Sequence, residues 1–418
     1  MNLKKVSFGF YVLLLSVMLA AGSLSSAFAA AGTINVGALN DMTGATSDVG
    51  RDYALGIAEA IHYVNDTGGI NGKQIKLYQF DYGYRVPEAL TKYKLFQRLG
   101  CVAVLGWGTG DTEALSPTVT KDKMPYVSAS YSGHLTDPKK TPYNLFFATD
   151  YSTNARAAIT AWFDKKWPKH KDYKSGRKPR FACSYMFASP YCSAPIKAVK
   201  DQATILGFDI GPDQDVSLFA IDTKSQVLSL KDFKADLVWH GNTTMSVSAT
   251  LRDAYSLGLG ADHIINNWGF DENLPKMAAK AAEGAMGPGI CAFFGEKVPG
   301  MDKVTAYAKK YNPGIPADKR LIRTVQAWAD VLILREAMIR ADKAGKLDGE
   351  SILKVGFETM NNFEIGLGAP PVTFTATDHR VAGMVPIYEV KDGKFQLVEK
   401  VDLKGRWPEK WAKEWIGW

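Results

Sequence analysis

The sequence predicts an α/β protein built from parallel sheets whose two faces are covered by helices. The first observation is a βαβ unit, which runs from a strand at Ile34 to the end of a second strand at Asp81. The second is the alternation of short apolar segments with helical periodicity along the chain, which is typical of parallel sheets. The third is the length of 418 residues, which allows two domains of ordinary size.

The first 29 residues are predicted to be a signal peptide. Lys4 and Lys5 precede an apolar run from Phe8 to Ala21, and Ala27 to Ala29 has the A-x-A form of a cleavage site. A membrane anchor is the alternative, but the run is short for a span and lacks a stop-transfer flank. Cleavage after Ala29 leaves 389 of the 418 residues, enough for two domains.

Position 23 bears on localisation. Leu19 to Ser23 would match a lipoprotein signal if the last residue were cysteine. Because serine cannot form the thioether to lipid, we expect a protein that is not lipidated and is soluble in the periplasm after cleavage. An acylated N-terminus in a mass spectrum would contradict this expectation.

The βαβ unit also predicts where a ligand binds. The apolar run from Ile34 to Leu39 predicts a buried strand, and apolar residues recur at helical spacing from Ala54 to Val64. Between them, Met42 to Gly50 forms a loop of small residues that a ligand can approach closely. The loop lies at the carboxyl end of the strand, where open α/β sheets bind small molecules.

The alternation continues beyond this unit, with a second lobe predicted to begin near Asp150. In the first lobe, helices are predicted at 87–99 and 111–121 and strands at 102–105, 126–128 and 145–148. In the second lobe, strands are predicted at 181–185, 208–216, 237–239 and 264–266, with helices at 194–206, 225–230, 245–257 and 274–282. Helices at 304–311 and 323–340 and a hairpin of strands 385–390 and 395–401 follow.

Two ordered motifs resemble those of a known family. The first is N-x-x-G-G-I-x-G, followed by an aspartate at the end of the second strand; it comprises Asn65, Gly68, Gly69, Ile70, Gly72 and Asp81. The second is F-x-x-x-D-H-R before a D-G-K turn, and it comprises Phe374, Asp378, His379, Arg380 and Gly393. Together they resemble the type I periplasmic binding proteins of ABC importers, in particular the Leu/Ile/Val-binding group.

This resemblance implies two Rossmann-like lobes joined by a multi-strand hinge that the chain crosses three times. It places lobe 1 at 30–149 plus 292–370, lobe 2 at 150–291 plus 371–403, and a tryptophan-rich tail at 404–418. It implies a substrate-binding protein, expected to be a monomer, that closes on a small molecule and delivers it to an ABC permease and ATPase complex at the inner membrane.

The best candidate for a binding loop follows the strand at 102–105. Trp107, Thr109 and Gly110 open a helix there, and amides at a helix start hold an anionic group without a cationic side chain. The glycines at 106, 108 and 110 also suggest a nucleotide loop. However, the third glycine comes too early for G-x-G-x-x-G, and the loop does not follow the first strand.

The loop from Pro125 to Gly133 is the second candidate in the first lobe. The resemblance implies that the carbonyl of Ser130 and the hydroxyl of Ser132 meet the ligand, with Thr109 or Gly110 as their partner. Tyr131 between them adds an aromatic ring to the pocket. A polar turn without a ligand is the alternative.

The second lobe is predicted to contribute mainly aromatic side chains. Tyr191 lies where the family has an aromatic wall, Thr243 where another aromatic is usual, and Trp268 where amino-acid binders have a glutamate for the ammonium group. Asp271 follows and could replace that carboxylate, although at the wrong spacing. With Phe294 from the predicted second crossing, the pocket favours an apolar amino acid, branched-chain or other, or an aromatic acid.

Other function classes lack support in the sequence. No G-x-S-x-G, H-E-x-x-H, C-x-x-C or Walker A pattern occurs, and the six histidines are scattered, so we expect no enzyme, cofactor or metal site. Nucleic-acid binding is not expected, since stacking aromatics in a basic groove are missing. A periplasmic sensor of an amide, urea or aromatic compound on the same scaffold is the alternative function.

Three further features leave alternatives open. From Lys165 to Arg180, eight basic residues oppose only Asp172, which indicates either a solvated connector or a permease-docking segment. Cys183 and Cys192 could form a local disulfide in an oxidising compartment or remain thiols. Trp407, Trp411 and Trp415 recur every four residues, which favours a packing face over a membrane-interface helix or partner surface.

Overall fold

The computed structural model describes residues 32–418, so the predicted signal peptide at 1–29 lies outside the described residues. The strands are β1 (Thr33–Asn40), β2 (Gln74–Asp81), β3 (Ala103–Gly106), β4 (Tyr126–Ser128), β5 (Asn144–Leu145), β6 (Arg180–Tyr185), β7 (Asp209–Ile210), β8 (Gln214–Asp215), β9 (Leu237–His240), β10 (Asp262–Ile265), β11 (Met286–Pro288), β12 (Met384–Lys391) and β13 (Lys394–Asp402).

The helices are α1 (Ser47–Asp66), α2 (Val86–Arg98), α3 (Thr109–Asp122), α4 (Tyr151–Lys165), α5 (Pro190–Ser193), α6 (Ile196–Ile205), α7 (Lys224–Phe233), α8 (Thr244–Ser256), α9 (Leu274–Ala278), α10 (Met301–Tyr311), α11 (Ile322–Lys343), α12 (Gly349–Ser351), α13 (Leu403–Arg406) and α14 (Pro408–Lys413). A π-helical turn follows α12 at Ile352–Phe357. Short 3₁₀ turns lie at Gly133–Leu135, Trp167–Lys169, Tyr173–Ser175, Asn267–Gly269, Ala279–Ala282 and Ala317–Lys319.

The first sheet has the strand order β2-β1-β3-β4-β5, and all of its pairs are parallel. At its centre, Val36 of β1 lies beside Leu77 of β2 and Ala103 of β3. Val36 and Ala103 are fully buried because helices cover both faces, which explains why β1 and β3 read as short apolar runs. We call this sheet and its helices the first lobe.

The second sheet has the order β13-β12-β11-β10-β9-β6-β7, and β8 also pairs with β6. Its strands are parallel up to β11, after which β12 and β13 add an antiparallel hairpin. The predicted strand at 208–216 is two separate two-residue strands, β7 and β8. The hairpin turns at Asp392 and Gly393, both with positive φ, as a two-residue turn between right-twisted strands requires. This sheet and its helices form the second lobe.

The chain passes between the two sheets three times. It leaves the first sheet after β5, leaves the second after β11, and returns to the second before β12. After the second passage, α11 packs against α1 of the first lobe so closely that a Cβ on Gly56 would lie 2.8 Å from Cβ of Ala327. We propose that these passages form the hinge, with the lobe boundaries expected from the sequence.

Half of the eight basic residues of the segment from 165 to 180 form ion pairs with carboxylates of the second lobe. Arg177 forms ion pairs with both Asp172 and Asp236, at 2.6 Å in each case. Three lysines of the segment have acidic neighbours as well, in the pairs Lys165–Glu399, Lys166–Glu389 and Lys178–Asp209. These pairs favour the connector over a free cationic docking surface.

The tryptophan-rich tail packs against the body of the protein. Trp411 and Trp415 are buried, and the guanidinium of Arg156 in α4 lies 4.2 Å from the ring centroid of Trp415. Arg380, from the third passage, stacks on Trp411 at 4.0 Å. Near its end, the amide of Gly417 donates to a threonine hydroxyl of the first lobe at 3.0 Å. The tail therefore forms the packing face that the sequence predicted.

All four cysteines are buried free thiols. Cys183 lies in β6 and Cys192 in α5, and the structure has no bond between them. Burial raises the pKa of the Cys192 thiol to about 12, so the reactive thiolate is scarce at neutral pH.

Candidate functional site

A small cavity lies between the lobes, at the carboxyl ends of the strands of both sheets, and the space around it that no atom fills amounts to about 240 Å³, including space open to solvent. Seven of the eleven residues that line it are aromatic or aliphatic, three are threonines, one is glycine, and none carries a charge. The lining residues are Thr46, Val49, Tyr84, Trp107, Gly108, Thr109, Ala129, Tyr151, Tyr191, Thr243 and Trp268.

The first lobe presents the start of α3 to the cavity. β3 ends at Gly106, and the helix begins at Thr109 with Gly108 as its N-cap in extended conformation. The N–H groups of a first helical turn have no partner within the helix, and the positive end of the helix dipole lies there. The hydroxyl of Thr109 accepts a hydrogen bond from Ser130 at 2.8 Å, and it also lies within hydrogen-bond reach of the Tyr151 hydroxyl.

Trp107 forms the wall between this helix start and the glycine-rich loop after β1. Its indole N–H donates to the hydroxyl of Thr46 at 2.9 Å, which fixes the ring plane. The ring packs against Tyr53 of α1, with centroids 5.0 Å apart, and against Trp268 of the second lobe at 4.9 Å. Aromatic rings from both lobes are therefore in direct contact.

The second lobe contributes Tyr151, Tyr191, Thr243 and Trp268. The indole N–H of Trp268 donates to the hydroxyl oxygen of Tyr151 at 2.8 Å, and that hydroxyl donates to the carbonyl of Ala129 at 3.2 Å. Tyr191 donates its hydroxyl to a backbone carbonyl behind the cavity wall, at 3.3 Å. Each ring thus has its polar atom held, as buried tyrosine and tryptophan require.

Asp48 marks the boundary between the lobes beside the cavity. Its carboxylate, on α1 of the first lobe, accepts from the amide of Met245 at the start of α8 at 3.2 Å. Burial raises the pKa of Asp48 to about 6, against which the hydrogen bond from Met245 acts in the opposite direction. The carboxylate therefore connects the two lobes in this closed arrangement, and its burial there costs solvation free energy.

The structure brings together Trp107, Thr109, Tyr191, Thr243 and Trp268 among the residues predicted from the sequence. Ser130 and Tyr131 lie directly behind the wall, where Ser130 holds Thr109 and Tyr131 stacks on Trp268 with centroids 5.8 Å apart.

Four predicted residues lie elsewhere. Gly110 lines a neighbouring groove, in van der Waals reach of the second lobe. Ser132 donates to Glu113 at 2.9 Å. Asp271 is fully buried and pairs with Arg323 at 3.0 Å, so its carboxylate is not available to a ligand ammonium. Phe294 faces a separate groove beside Arg320.

Six lining residues were not predicted from the sequence, namely Thr46, Val49, Tyr84, Gly108, Ala129 and Tyr151. Two signals could have found part of this set. Thr46 and Val49 belong to the glycine-rich loop already assigned to ligand approach, and Tyr84 follows the carboxyl end of β2. Tyr151 begins α4, and nothing in its local sequence separates it from a core aromatic.

The arrangement suits an apolar body with one polar head group. The rings can cover the body, while the amides and hydroxyls of the α3 start can accept a carboxylate. Across the described part of the chain, no group of three or more His, Cys, Asp or Glu side chains is placed to hold a metal ion. Within residues 32–418, no helix is long and apolar enough to cross a membrane.

Comparisons with known proteins agree with this architecture. A family model described as periplasmic binding protein matches residues 33–394. No curated protein matches the chain. The fold is similar to a crystal structure of an ABC transporter substrate-binding protein from Aeropyrum pernix, with 32% identity, a TM-score of 0.77, and coverage of 89% of this chain and 96% of that chain.

Two further structures share the fold at lower identity. A branched-chain amino acid ABC transporter protein from Thermus thermophilus with bound valine has 21% identity and a TM-score of 0.81, over 90% of this chain and 99% of its own. An ABC transporter solute-binding protein from R. palustris in complex with 4-hydroxybenzoate has 17% identity and a TM-score of 0.72, over 90% and 99%. Since the family model spans most of the chain, this protein belongs to the type I periplasmic binding proteins. It is a substrate-binding protein of an ABC transporter; it takes a small-molecule ligand and is not an enzyme.

Proposed function

We propose that the protein captures a small apolar or aromatic carboxylate between its lobes and delivers it to the membrane permease of an ABC importer. The ligand classes that we consider are branched-chain and other apolar amino acids and aromatic acids. The observation that carries the proposal is a cavity with an aromatic, uncharged wall that has the start of α3 at its edge.

The aromatic wall supports an apolar ligand body. Trp107 and Trp268 are in edge contact and Tyr191 closes the wall from the second lobe. Removing about 100 Å² of apolar ligand surface from water against such rings contributes roughly 2.5 kcal/mol. That is about a third of the roughly 8 kcal/mol that a micromolar dissociation constant represents. The remainder has to come from the other face of the ligand and from its head group.

The start of α3 supports a carboxylate head group. The helix dipole and unpaired amides contribute up to about 2 kcal/mol toward an anion in a sheltered site. Thr109 lines the cavity at the helix start, where a hydrogen bond from Ser130 holds its hydroxyl in place. The hydroxyl of Thr243 reaches the cavity from the other lobe and supplies a second donor.

Within the proposed ligand class, the lining favours acids without an amino group over amino acids. None of the lining residues is a carboxylate, and Asp271, the sequence candidate for that role, is paired with Arg323. A buried charge that lacks its partner typically costs about 3–5 kcal/mol. We therefore rank aromatic acids and apolar monocarboxylates above leucine and its relatives.

Isothermal titration with matched ligand pairs tests this proposal. Benzoate and benzamide differ in head-group charge, whereas 4-methylpentanoate and leucine differ only in the ammonium group. We expect micromolar binding of at least one acid and binding at least tenfold weaker for its neutral or ammonium-bearing partner. Leucine binding tighter than 4-methylpentanoate would contradict the ranking, and benzamide binding tighter than benzoate would favour a neutral ligand.

We further propose that the protein acts as a monomer in the periplasm without a lipid anchor. Fractionation of cells followed by intact-mass measurement should give a mature chain that begins at Ala30 and carries no acyl group. Uptake of the labelled ligand into vesicles containing a permease and ATPase encoded beside this gene should depend on the added protein. Ligand binding without any such uptake would favour the sensor function.

A further inference from the structure

Several hydrogen-bond acceptors around the cavity are used by the protein itself. The carbonyl of Gly108 accepts from the amide of Thr112, as α3 requires, and the carbonyl of Thr243 accepts from Val247 in α8. The carbonyl of Trp268 accepts a threonine hydroxyl of the second lobe at 3.3 Å. These bonds belong to helix starts or to one lobe, so a ligand cannot displace them cheaply.

The carbonyl of Ala129 is different, because its partner is a side chain from the other lobe. The hydroxyl of Tyr151 donates to it at 3.2 Å. Tyr151 is the first residue of α4, whose start is capped by Asp150 through a 2.9 Å bond to Thr153. The Tyr151 amide also donates to the carbonyl of Tyr131 at 2.6 Å, so the phenol is held rigidly across the lobe boundary.

The direction of this hydrogen bond follows from counting hydrogens. An indole N–H can only donate, so the oxygen of Tyr151 must accept the 2.8 Å bond from Trp268. The single hydroxyl hydrogen of Tyr151 is then left for the carbonyl of Ala129. The result is a one-way relay from indole to phenol to carbonyl, which we call the Trp268–Tyr151–Ala129 relay.

We infer that Tyr151 is a specificity-determining residue that disfavours ligands with an ammonium group, because its hydroxyl covers the Ala129 carbonyl, an acceptor in the cavity wall. The inference rests on the proposed function, in which an acidic ligand binds in this cavity. An ammonium group needs acceptors, whereas a carboxylate needs donors. The relay takes up an acceptor of the wall, and the amides at the start of α3 remain as donors. Burial also raises the pKa of Tyr151, so the hydroxyl stays protonated at neutral pH.

The substitution that tests this inference is Tyr151→Phe, which keeps the ring and removes the hydroxyl. The Ala129 carbonyl then faces the cavity without a partner. Tyr185→Phe is the matched control, since Tyr185 is a second-lobe tyrosine outside the cavity lining whose hydroxyl donates to Asp213 at 3.1 Å. Trp268→Phe removes the indole donor and lets the Tyr151 hydroxyl rotate, which tests the relay from its other end.

The measurement is the ratio of dissociation constants for leucine and 4-methylpentanoate, and for phenylalanine and 3-phenylpropanoate, by isothermal titration. We expect Tyr151→Phe to shift both ratios toward the amino acid by at least tenfold. Trp268→Phe should shift them in the same direction by a smaller factor, and Tyr185→Phe should leave them within threefold of the wild type. Melting temperatures and circular dichroism report whether each variant is folded.

The outcomes separate this inference from the proposed function. A wild-type preference for leucine contradicts the proposed ligand ranking, yet a further shift toward leucine in Tyr151→Phe would still support the role of Tyr151. Unchanged ratios in a folded Tyr151→Phe variant overturn the inference alone. Loss of binding for acids and amino acids alike in Tyr151→Phe also overturns it, because the hydroxyl would then serve every ligand equally.

Discussion

The molecule contains two clusters of buried aromatic residues that look alike in the sequence and differ in the fold. One lies in the cleft around Trp107 and Trp268, and the other is formed by the tail around Trp415. In each cluster an arginine guanidinium lies over a tryptophan ring. Arg323 lies 4.8 Å from the Trp268 ring centroid, and Arg156 lies 4.2 Å from the Trp415 ring centroid.

The difference lies in what occupies the space between the rings. In the tail, Arg156 also contacts Trp418 at 4.6 Å, and Lys197 covers that ring at 4.3 Å, so cations fill the gaps. In the cleft, Arg323 is bonded to Asp271 behind Trp268, and the cavity in front of Trp268 remains unfilled. Aromatic content therefore does not identify a binding site, whereas unfilled space bordered by hydrogen-bond donors does.

The largest expected effect breaks the tail cluster. We expect Trp415→Ala to lower the free energy of unfolding by about 3–5 kcal/mol, as for other large-to-small changes of buried tryptophan. Urea denaturation measures this loss. Trp407→Ala is the matched control, and because Trp407 is only half-buried its cost should be smaller. Ligand affinity of folded Trp415→Ala should stay within threefold, and a larger change would show that the tail and the cleft are coupled.

The second prediction converts the cleft into a filled cluster like the tail. Val49 lines the cavity from α1, and we expect Val49→Phe to place a ring in the empty space. Ligand binding should weaken by at least a hundredfold, while the free energy of unfolding changes by less than the roughly 1–3 kcal/mol typical of overpacking. Titration and urea denaturation of the same sample measure both. Unchanged affinity would mean that the ligand binds elsewhere.

The third prediction concerns Asp48, a carboxylate that joins the lobes beside the cleft. Burial raises the pKa of Asp48 to about 6, and opening the cleft returns it toward its ordinary value of 3.8. The closed form therefore holds a proton more tightly than the open form, so closure is favoured at low pH and weakens as the pH rises through 6. We expect affinity to fall roughly tenfold between pH 5 and pH 8.

Asp48→Asn isolates this effect, because its side-chain carbonyl still accepts from Met245 and has no charge to desolvate. Affinity at pH 8 should rise, and most of the pH dependence should disappear. Asp111 and Glu272 are also buried carboxyls with their pKa raised to about 7, so the informative quantity is the difference between the variant and the wild type. A ligand that does not titrate in this range has to be used, and equal slopes for both proteins would contradict the prediction.

The last prediction is that a reducing agent has no effect on the stability of the protein. Neither cluster is held by a covalent cross-link, since Cys183 and Cys192 are free thiols. Purified protein should show four titratable thiols in denaturant and almost none when folded, and a reducing agent should leave the unfolding midpoint unchanged. Only two thiols in denaturant would demonstrate a disulfide formed during export.

Much of the fold follows from local sequence. The apolar run from Ile34 is β1, because a strand buried on both faces must be apolar throughout, and the helix predicted at 111–121 is the greater part of α3. The sequence also predicted Trp107 and Thr109 as pocket residues, because loops that follow parallel strands lie at the edge of the sheet where ligands bind. Chain order and periodicity are enough for such inferences.

The sequence by itself determined the α/β class, the order of the elements and the position of the loops after β1 and β3 at the sheet edge where the cavity lies. Those features depend on periodicity and on contacts between near neighbours in the chain. Only the tertiary structure decided that Tyr151 reaches Ala129 and that Asp271 belongs to Arg323 rather than to a ligand. Both pairings join distant segments across the lobe boundary, and the direction of a side chain across that boundary depends on how the lobes pack, which no local pattern records.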